Sequence, residues 1–291
     1  MTTSTPELQR VHTPSGYDVP VSCWHADSQA PLLLFMGALG VGCAFYAKLG
    51  AALSASGVHV ALLEQRGYGD SALRPSRNSD WGFADIVGND LAAVLTWATA
   101  HFDASSQYLM GHSLGGHYAA IGAGLYPNQV DGLIVVATGS PWFEAYEDAV
   151  RRKIHWLTWL IPPCNALFGY YPGDRLGFGG REARTVMSDW RALARTNRYR
   201  AAGLSQDLED LIDRYTGPVL AIRLADDALA PEAAVDALTD KFSSAAIEID
   251  VVDRDTLGDR ADHFRWARTP GAVVDRIGRW LPDASGTHSR R

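Results

Sequence analysis

The 291-residue chain is 47% hydrophobic and 20% charged, with 28 Gly and 14 Pro, the composition of a globular protein of one large α/β domain or two small ones. A formal net charge of -7 argues against a general nucleic-acid binder, which is normally basic. No apolar run approaches the roughly 18 residues of a membrane span, and MTTSTPELQRVH at the N-terminus lacks the basic patch and apolar core of a signal peptide.

In chain order, GYDVPVSCWHA (16–26), after the turn signal Pro14-Ser15-Gly16, reads as a half-exposed strand of an opening hairpin. PLLLFMG (31–37) is the continuous apolar run of a strand covered on both faces. The glycine-rich GALGVG then leads into a helix through Phe45, Tyr46, Leu49 and Leu53 that ends near Gly57. VHVALLEQ (58–65) is the next buried strand, RGYGDSALRPS a loop, and residues 83–102 a helix carrying Ile86, Leu91, Val94, Leu95 and Trp97. QYLMG is a strand and LGGHYAAIGAGLY a helix. VDGLIVVATGS (130–140), PVLAIRLADD (218–227) and AAIEIDVVD (245–253) are strands. PEAAVDALTDKF, opened by Pro231, and TPGAVVDRIGRWL (269–281) are helices. This alternation predicts the α/β class, with a mostly parallel central sheet and helices on both faces.

Residues 141–215 interrupt the rhythm and read as an insertion lying over the C-terminal ends of the strands, where ligands bind in open α/β folds. The insertion is rich in aromatics, and Trp142, Trp156, Trp159 and Trp190 are candidates for lining a substrate pocket, or for packing as the insertion's own small core. RTVMSDWRALARTNRY places Val186, Trp190 and Leu193 on one helical face. From Arg151 to Arg200, nine arginines and one lysine stand against three acids, Asp174, Glu182 and Asp189. Arg191, Arg195 and Arg198 share a face, expected to be solvated and able to steer anionic substrates toward the mouth of the site.

A serine hydroxyl becomes a useful nucleophile only when a base takes its proton and donors stabilise the developing oxyanion. Gly111-His112-Ser113-Leu114-Gly115 matches the G-x-S-x-G elbow, between a short apolar strand and a small-residue helix, with the Leu114 N–H at the helix start. His112 and His117 flank it, but no carboxylate or cysteine at ligand spacing accompanies them, so neither a metal nor a cofactor is expected. Cys23, Cys43 and Cys164 are widely spaced, fit no metal-ligand pattern and cannot all pair, which suggests buried thiols in a reducing, cytoplasmic setting.

FMGALG (35–40), EQRGYGDS (64–71) and GHSLGG (111–116), in this order, resemble the α/β-hydrolase superfamily over nearly the whole chain. The chain is most similar to bacterial serine hydrolases of the lysophospholipase- and monoacylglycerol-lipase-like (serine aminopeptidase-like) group. The resemblance implies Ser113 as nucleophile and the backbone N–H groups of Ala38 and Leu114 as the oxyanion hole. Met36 stands where many members have histidine, and Glu64 or Gln65 replaces the usual acid of the D-x-R-G-x-G-x-S segment. LADDALAP (224–231) offers Asp226 and Asp227 as the triad acid; only Asp227 has proline four residues on, and it is the residue assigned. ADHFRWAR (261–268) supplies His263, between the last strand and the last helix.

The expectation is therefore an α/β-hydrolase core over 1–140 and 216–283, a helical cap over 141–215 and a disordered tail over 284–291. Such a protein would cleave a small-molecule carboxylic ester or thioester, anionic ones included, through an acyl-enzyme on a Ser113–His263–Asp227 triad. Acyl transfer, amide or carbon–carbon bond hydrolysis, and a ligand receptor of the same fold remain open alternatives. Neither nucleic acid nor an integral membrane position is expected, and oligomeric state is not legible.

Overall fold

In the computed structural model, which describes residues 5–286, ten strands are present: β1 (Glu7–His12), β2 (Asp18–Trp24), β3 (Leu32–Met36), β4 (His59–Leu63), β5 (Gln107–His112), β6 (Gly132–Val136), β7 (Tyr171–Pro172), β8 (Arg181–Glu182), β9 (Val219–Leu224) and β10 (Ile247–Val252). Eight of them form one sheet in the order β1-β2-β4-β3-β5-β6-β9-β10. Only β2 runs against its neighbours; from β4 to β10 every pairing is parallel. β7 and β8 make a separate two-residue ribbon.

The apolar runs are buried because the sheet is covered on both faces. In β3, Leu32, Leu34 and Met36 face one core cluster, while Leu33 and Phe35 face the other, the two-residue period of a strand. The first cluster is closed by Leu91, Val94 and Leu95 and by Tyr118 and Ile121 of the helix Leu114–Leu125. The second is closed by Leu49 and Leu53 of the helix Ala47–Ala55 and by Val273 and Ile277 of the helix Gly271–Gly286. β2 is more buried than its alternating sequence suggests, since it lies between β1 and β4 with both faces covered.

Residues 83–101 do not form one regular α-helix. A turn at Phe83–Asp85 passes into π-helical geometry over Ile86–Leu91 before the α-helix Ala92–His101 begins. The wide turn carries Asp90, which is buried against the Arg66 guanidinium in a two-pronged ion pair with both contacts at 2.7 Å.

Between β6 and β9 the chain forms the helices Asp148–Phe168, Arg184–Thr196 and Leu208–Asp213. The first contains Pro162 and Pro163. The second buries Val186, Met187, Trp190 and Leu193, and its Asp189 accepts the Phe83 N–H at 2.9 Å, which ties it to the body of the protein. The last helix runs from Gly271 to Gly286 and so includes residues 284–286 of the expected tail. Residues 287–291 of the expected tail lie outside the described residues. Among the described residues, no helix is long and apolar enough to cross a membrane.

Candidate active site

Ser113 follows the end of β5 and starts the helix Leu114–Leu125 with φ +53° and ψ -119°. A non-glycine residue in that region is strained and persists only where its surroundings fix it. Here they do, because the strand and helix close on each other too tightly for side chains. A Cβ on Gly111 would lie 2.2 Å from the Gly115 carbonyl oxygen, and one on Gly115 would lie 2.0 Å from that of Met36. The two glycines of the elbow are thus required by close approach. Leu114 is the first helical residue, and its N–H belongs to the turn that has no intrahelical acceptor.

His263 Nε2 lies 2.9 Å from Ser113 Oγ, and its Nδ1 lies 2.7 Å from Asp227 Oδ2. The Asp227 side chain is fully buried, and its other oxygen accepts the N–H groups of Leu229 at 2.8 Å and Ala230 at 3.2 Å. A carboxylate so held fixes both the tautomer and the plane of the imidazole. The neighbouring Asp226 points elsewhere, to Arg254 Nη2 at 3.2 Å and the Ala261 N–H at 3.1 Å. The geometry therefore brings Asp227, not Asp226, to the histidine.

Ala38 differs from expectation. It lines the cavity beside Ser113, yet its N–H donates to the Tyr46 hydroxyl at 2.9 Å. That hydroxyl, accepting this hydrogen bond, lies 2.8 Å from His112 Nδ1 and can donate to it. Burial holds the His112 imidazole well below its ordinary pKa, so it is neutral and able to accept. Trp266, in van der Waals contact range of His112, donates from Nε1 to the His263 carbonyl at 3.1 Å. Tyr46, His112 and Trp266 therefore link the loop after β3 to the backbone of His263. Sequence reading missed Tyr46 and Trp266, whose hydroxyl and indole look like ordinary core aromatics until the fold brings them together. Gln65 Nε2 donates to the Gly37 carbonyl and supports the same loop.

A cavity of about 180 Å³ opens on Ser113 and His263. Ile154, Phe178 and Trp190 wall it from the segment between β6 and β9, and His117 and Tyr146 complete its floor and side. Of the four tryptophans taken as pocket candidates, Trp190 lines this cavity. Trp142 faces a separate surface cleft, and Trp156 and Trp159 are 73% and 57% exposed on the outer side of the helix Asp148–Phe168. They do not line the pocket, because that helix turns Ile154, Thr158 and Ile161 inward instead.

The three arginines do not form one free face either. Arg191 Nε donates to the Thr158 carbonyl at 2.6 Å and Arg195 Nη1 to the Thr158 hydroxyl at 3.3 Å, so two of them clamp neighbouring helices. His117 is buried, with Nδ1 2.6 Å from the Tyr199 hydroxyl and Nε2 3.2 Å from the Gly139 carbonyl, and is held by packing partners on both sides. The described residues include one group with the chemistry of metal ligands, Glu7, His25 and His101, whose ligand atoms lie within 4.8 Å of one another. It lies near the start of β4, at the opposite end of the sheet from Ser113.

Residues 27–254 match the family model described as "Serine aminopeptidase, S33". No curated protein matches the chain by sequence. Among solved structures, that of DcsB in complex with its substrate analogue aligns with TM-score 0.67 at 15% identity, covering 96% of this chain and 100% of the other. Est1E from Butyrivibrio proteoclasticus with ferulic acid bound aligns with TM-score 0.68 at 15% identity, over 96% and 99%. The thioesterase domain from the curacin biosynthetic pathway aligns with TM-score 0.58 at 13% identity, over 93% and 99%. At these identities the likeness is one of fold.

Proposed function

The chain belongs to the serine aminopeptidase S33 family of α/β hydrolases, and from that premise we propose that it is a serine hydrolase cleaving a carboxylic ester or thioester. The observation that carries this reading is the unbroken chain from Ser113 Oγ through His263 to Asp227, with contacts of 2.9 and 2.7 Å, at a strained elbow facing a cavity.

In this reading His263 takes the proton of Ser113 as Oγ attacks the acyl carbon. Asp227 stabilises the imidazolium that results. The oxyanion forms against the Leu114 N–H and the loop after β3, where the Ala38 N–H joins by turning from, or sharing itself with, the Tyr46 hydroxyl. Collapse of the intermediate sends the proton from His263 to the leaving alcohol or thiol. Water then enters, gives its proton to His263 and attacks the acyl-enzyme; collapse frees the acid as His263 returns the proton to Ser113 Oγ.

Residues 141–215 serve as the cap over a core made of 1–140 and 216–283. Ile154, Phe178 and Trp190 make the acyl subsite apolar, and a volume of about 180 Å³, room for about six waters, favours a short acyl group. The thioesterase domain among the structural neighbours, and the ferulic acid bound to Est1E, support a substrate with a carboxyl-derived carbonyl.

A fluorophosphonate probe tests the reading. Covalent labelling of the folded protein, absent in Ser113→Ala, is expected, with turnover of short-chain aryl esters. An unlabelled wild type beside a reactive control hydrolase would overturn it.

A further inference from the structure

The helix Asp148–Phe168 is apolar on two sides. Thr158, Ile161 and Cys164 turn inward and are buried, and Ile154 reaches the cavity beside Ser113. On the opposite side Trp156, Trp159, Leu160 and Leu167 fall at i, i+3, i+4 and i+11, a single helical stripe. They are exposed to 73, 57, 41 and 64%. A stripe of this kind turned to water marks an interaction surface.

Basic side chains frame the stripe. Exposed Arg152 and Lys153 lie one turn before Trp156. The Arg195 guanidinium sits 5.3 Å from the centre of the Trp159 ring, and Arg77 reaches the Leu167 carbonyl at the far end. Residues 149–168 contain no acid; Glu144, Glu147 and Asp148 all precede the basic pair.

We propose that this face docks on an anionic lipid surface. Trp156 and Trp159 sit at headgroup level, the leucines enter the acyl boundary, and the basic groups meet lipid phosphates. A second copy of the chain fits less well, because apposing two identical stripes would also bring two cationic frames together. A protein partner would need an acidic groove matched to a ridge about 16 Å long. The helix that carries the stripe also walls the cavity through Ile154, so docking sets the site within about one helix diameter, roughly 10 Å, of the lipid. This inference concerns binding and goes beyond the hydrolase reading; it stands or falls separately from it.

Full-length Ser113→Ala protein, which leaves vesicles intact, is sedimented with vesicles of phosphatidylglycerol and phosphatidylcholine, and with phosphatidylcholine alone. Binding to the anionic vesicles is expected, at least tenfold tighter than to the neutral ones and weakened by salt. Trp156→Ser/Trp159→Ser should lose at least tenfold in partitioning, and Arg152→Gln/Lys153→Gln should lose most of the salt-sensitive part. Because these side chains are exposed, the same substitutions in the active background keep the wild-type circular dichroism and soluble-ester turnover. Failure to bind anionic vesicles, or equal binding by the double tryptophan variant, overturns the proposal. So does a dimer in sedimentation velocity that dissociates in that variant. Loss of soluble-ester turnover in the wild type would instead count against the hydrolase reading.

Discussion

Arg191 donates from Nε, at 2.6 Å, to the carbonyl of Thr158, the acceptor that Pro162 leaves without its intrahelical donor. A proline inside a helix removes the N–H that would bond four residues back, and here a guanidinium from the next helix stands in for it. Arg191→Met should lower unfolding free energy by about 1–3 kcal/mol, since the half-buried carbonyl loses a charged donor. Arg198→Ala, at an exposed position just past the end of the same helix, should stay within about 0.5 kcal/mol of wild type. Denaturant titration of the two variants side by side decides it; equal stabilities would sink the surrogate-donor account.

The adjacent carboxylates of LADD should separate cleanly in kinetics. Asp227→Asn should reduce kcat on a short-chain ester by about 10⁴-fold, as expected when the imidazole loses the partner that fixes its tautomer. Asp226→Asn, whose side chain meets Arg254 and the Ala261 N–H, should change kcat by less than about tenfold. The reverse ranking would transfer the role to Asp226.

Two glycine-to-alanine substitutions should have opposite signs. At Gly115 a Cβ would lie 2.0 Å from the Met36 carbonyl oxygen, backbone against backbone with no flexible end to yield. A loss of more than about 4 kcal/mol, seen as insoluble or unfolded protein, is expected. At Gly278, in the helix Gly271–Gly286, the added methyl meets nothing within 4 Å, and helix propensity should raise stability by about 0.5–1 kcal/mol. Thermal melts report both.

Acid stability should depend on two buried groups that act in opposite directions. Burial pushes the His117 imidazole down to about 4 from an ordinary 6.5. The unfolded chain therefore takes up that proton first, and stability falls as pH drops from 6.5 toward 4. Burial pushes the Asp189 carboxyl up to about 6 from 3.8. The folded chain holds that proton more tightly, so stability rises as pH drops from 6 toward 3.8. Each effect is on the order of 3 kcal/mol, and between pH 4 and 6 they largely offset. Asp189→Asn should then lose stability with acid more steeply than wild type, and His117→Gln less steeply. Urea midpoints at several pH values give the comparison; parallel curves for all three proteins would refute it.

The core of the fold was legible because its signals are local. Continuous apolar runs such as LLLFM and GLIVV bury both faces wherever they pair, and G-x-S-x-G between a strand and a helix needs only short-range sterics. The order of Ser113, Asp227 and His263 along the chain followed from the resemblance, and the fold brings the three side chains into successive contacts of 2.9 and 2.7 Å. What failed was orientation across space. The helix Asp148–Phe168 is apolar on two sides, so its period could not say that Ile154 and Ile161 turn inward and Trp156 and Trp159 outward. Ala38 lines the cavity beside Ser113, but the direction of its N–H depends on a tyrosine hydroxyl that only tertiary packing brings near. Arg191 looked solvated because its partner is a carbonyl orphaned by a proline 29 positions earlier in the chain, a vacancy no composition count records.

The three thiols carry a practical consequence. Cys23 lies in β2, Cys43 beside Glu64 after β3, and Cys164 in the proline-containing helix; all are free and buried. Burial pushes Cys23 up to about 12 and raises Cys43 and Cys164 as well, so little thiolate is present at neutral pH. Alkylation of the native protein is consequently gated by local opening. Mass spectrometry after a timed alkylation pulse would then read three separate clocks from one unmodified sequence: the antiparallel end of the sheet, the segment that follows β3, and the proline-containing helix.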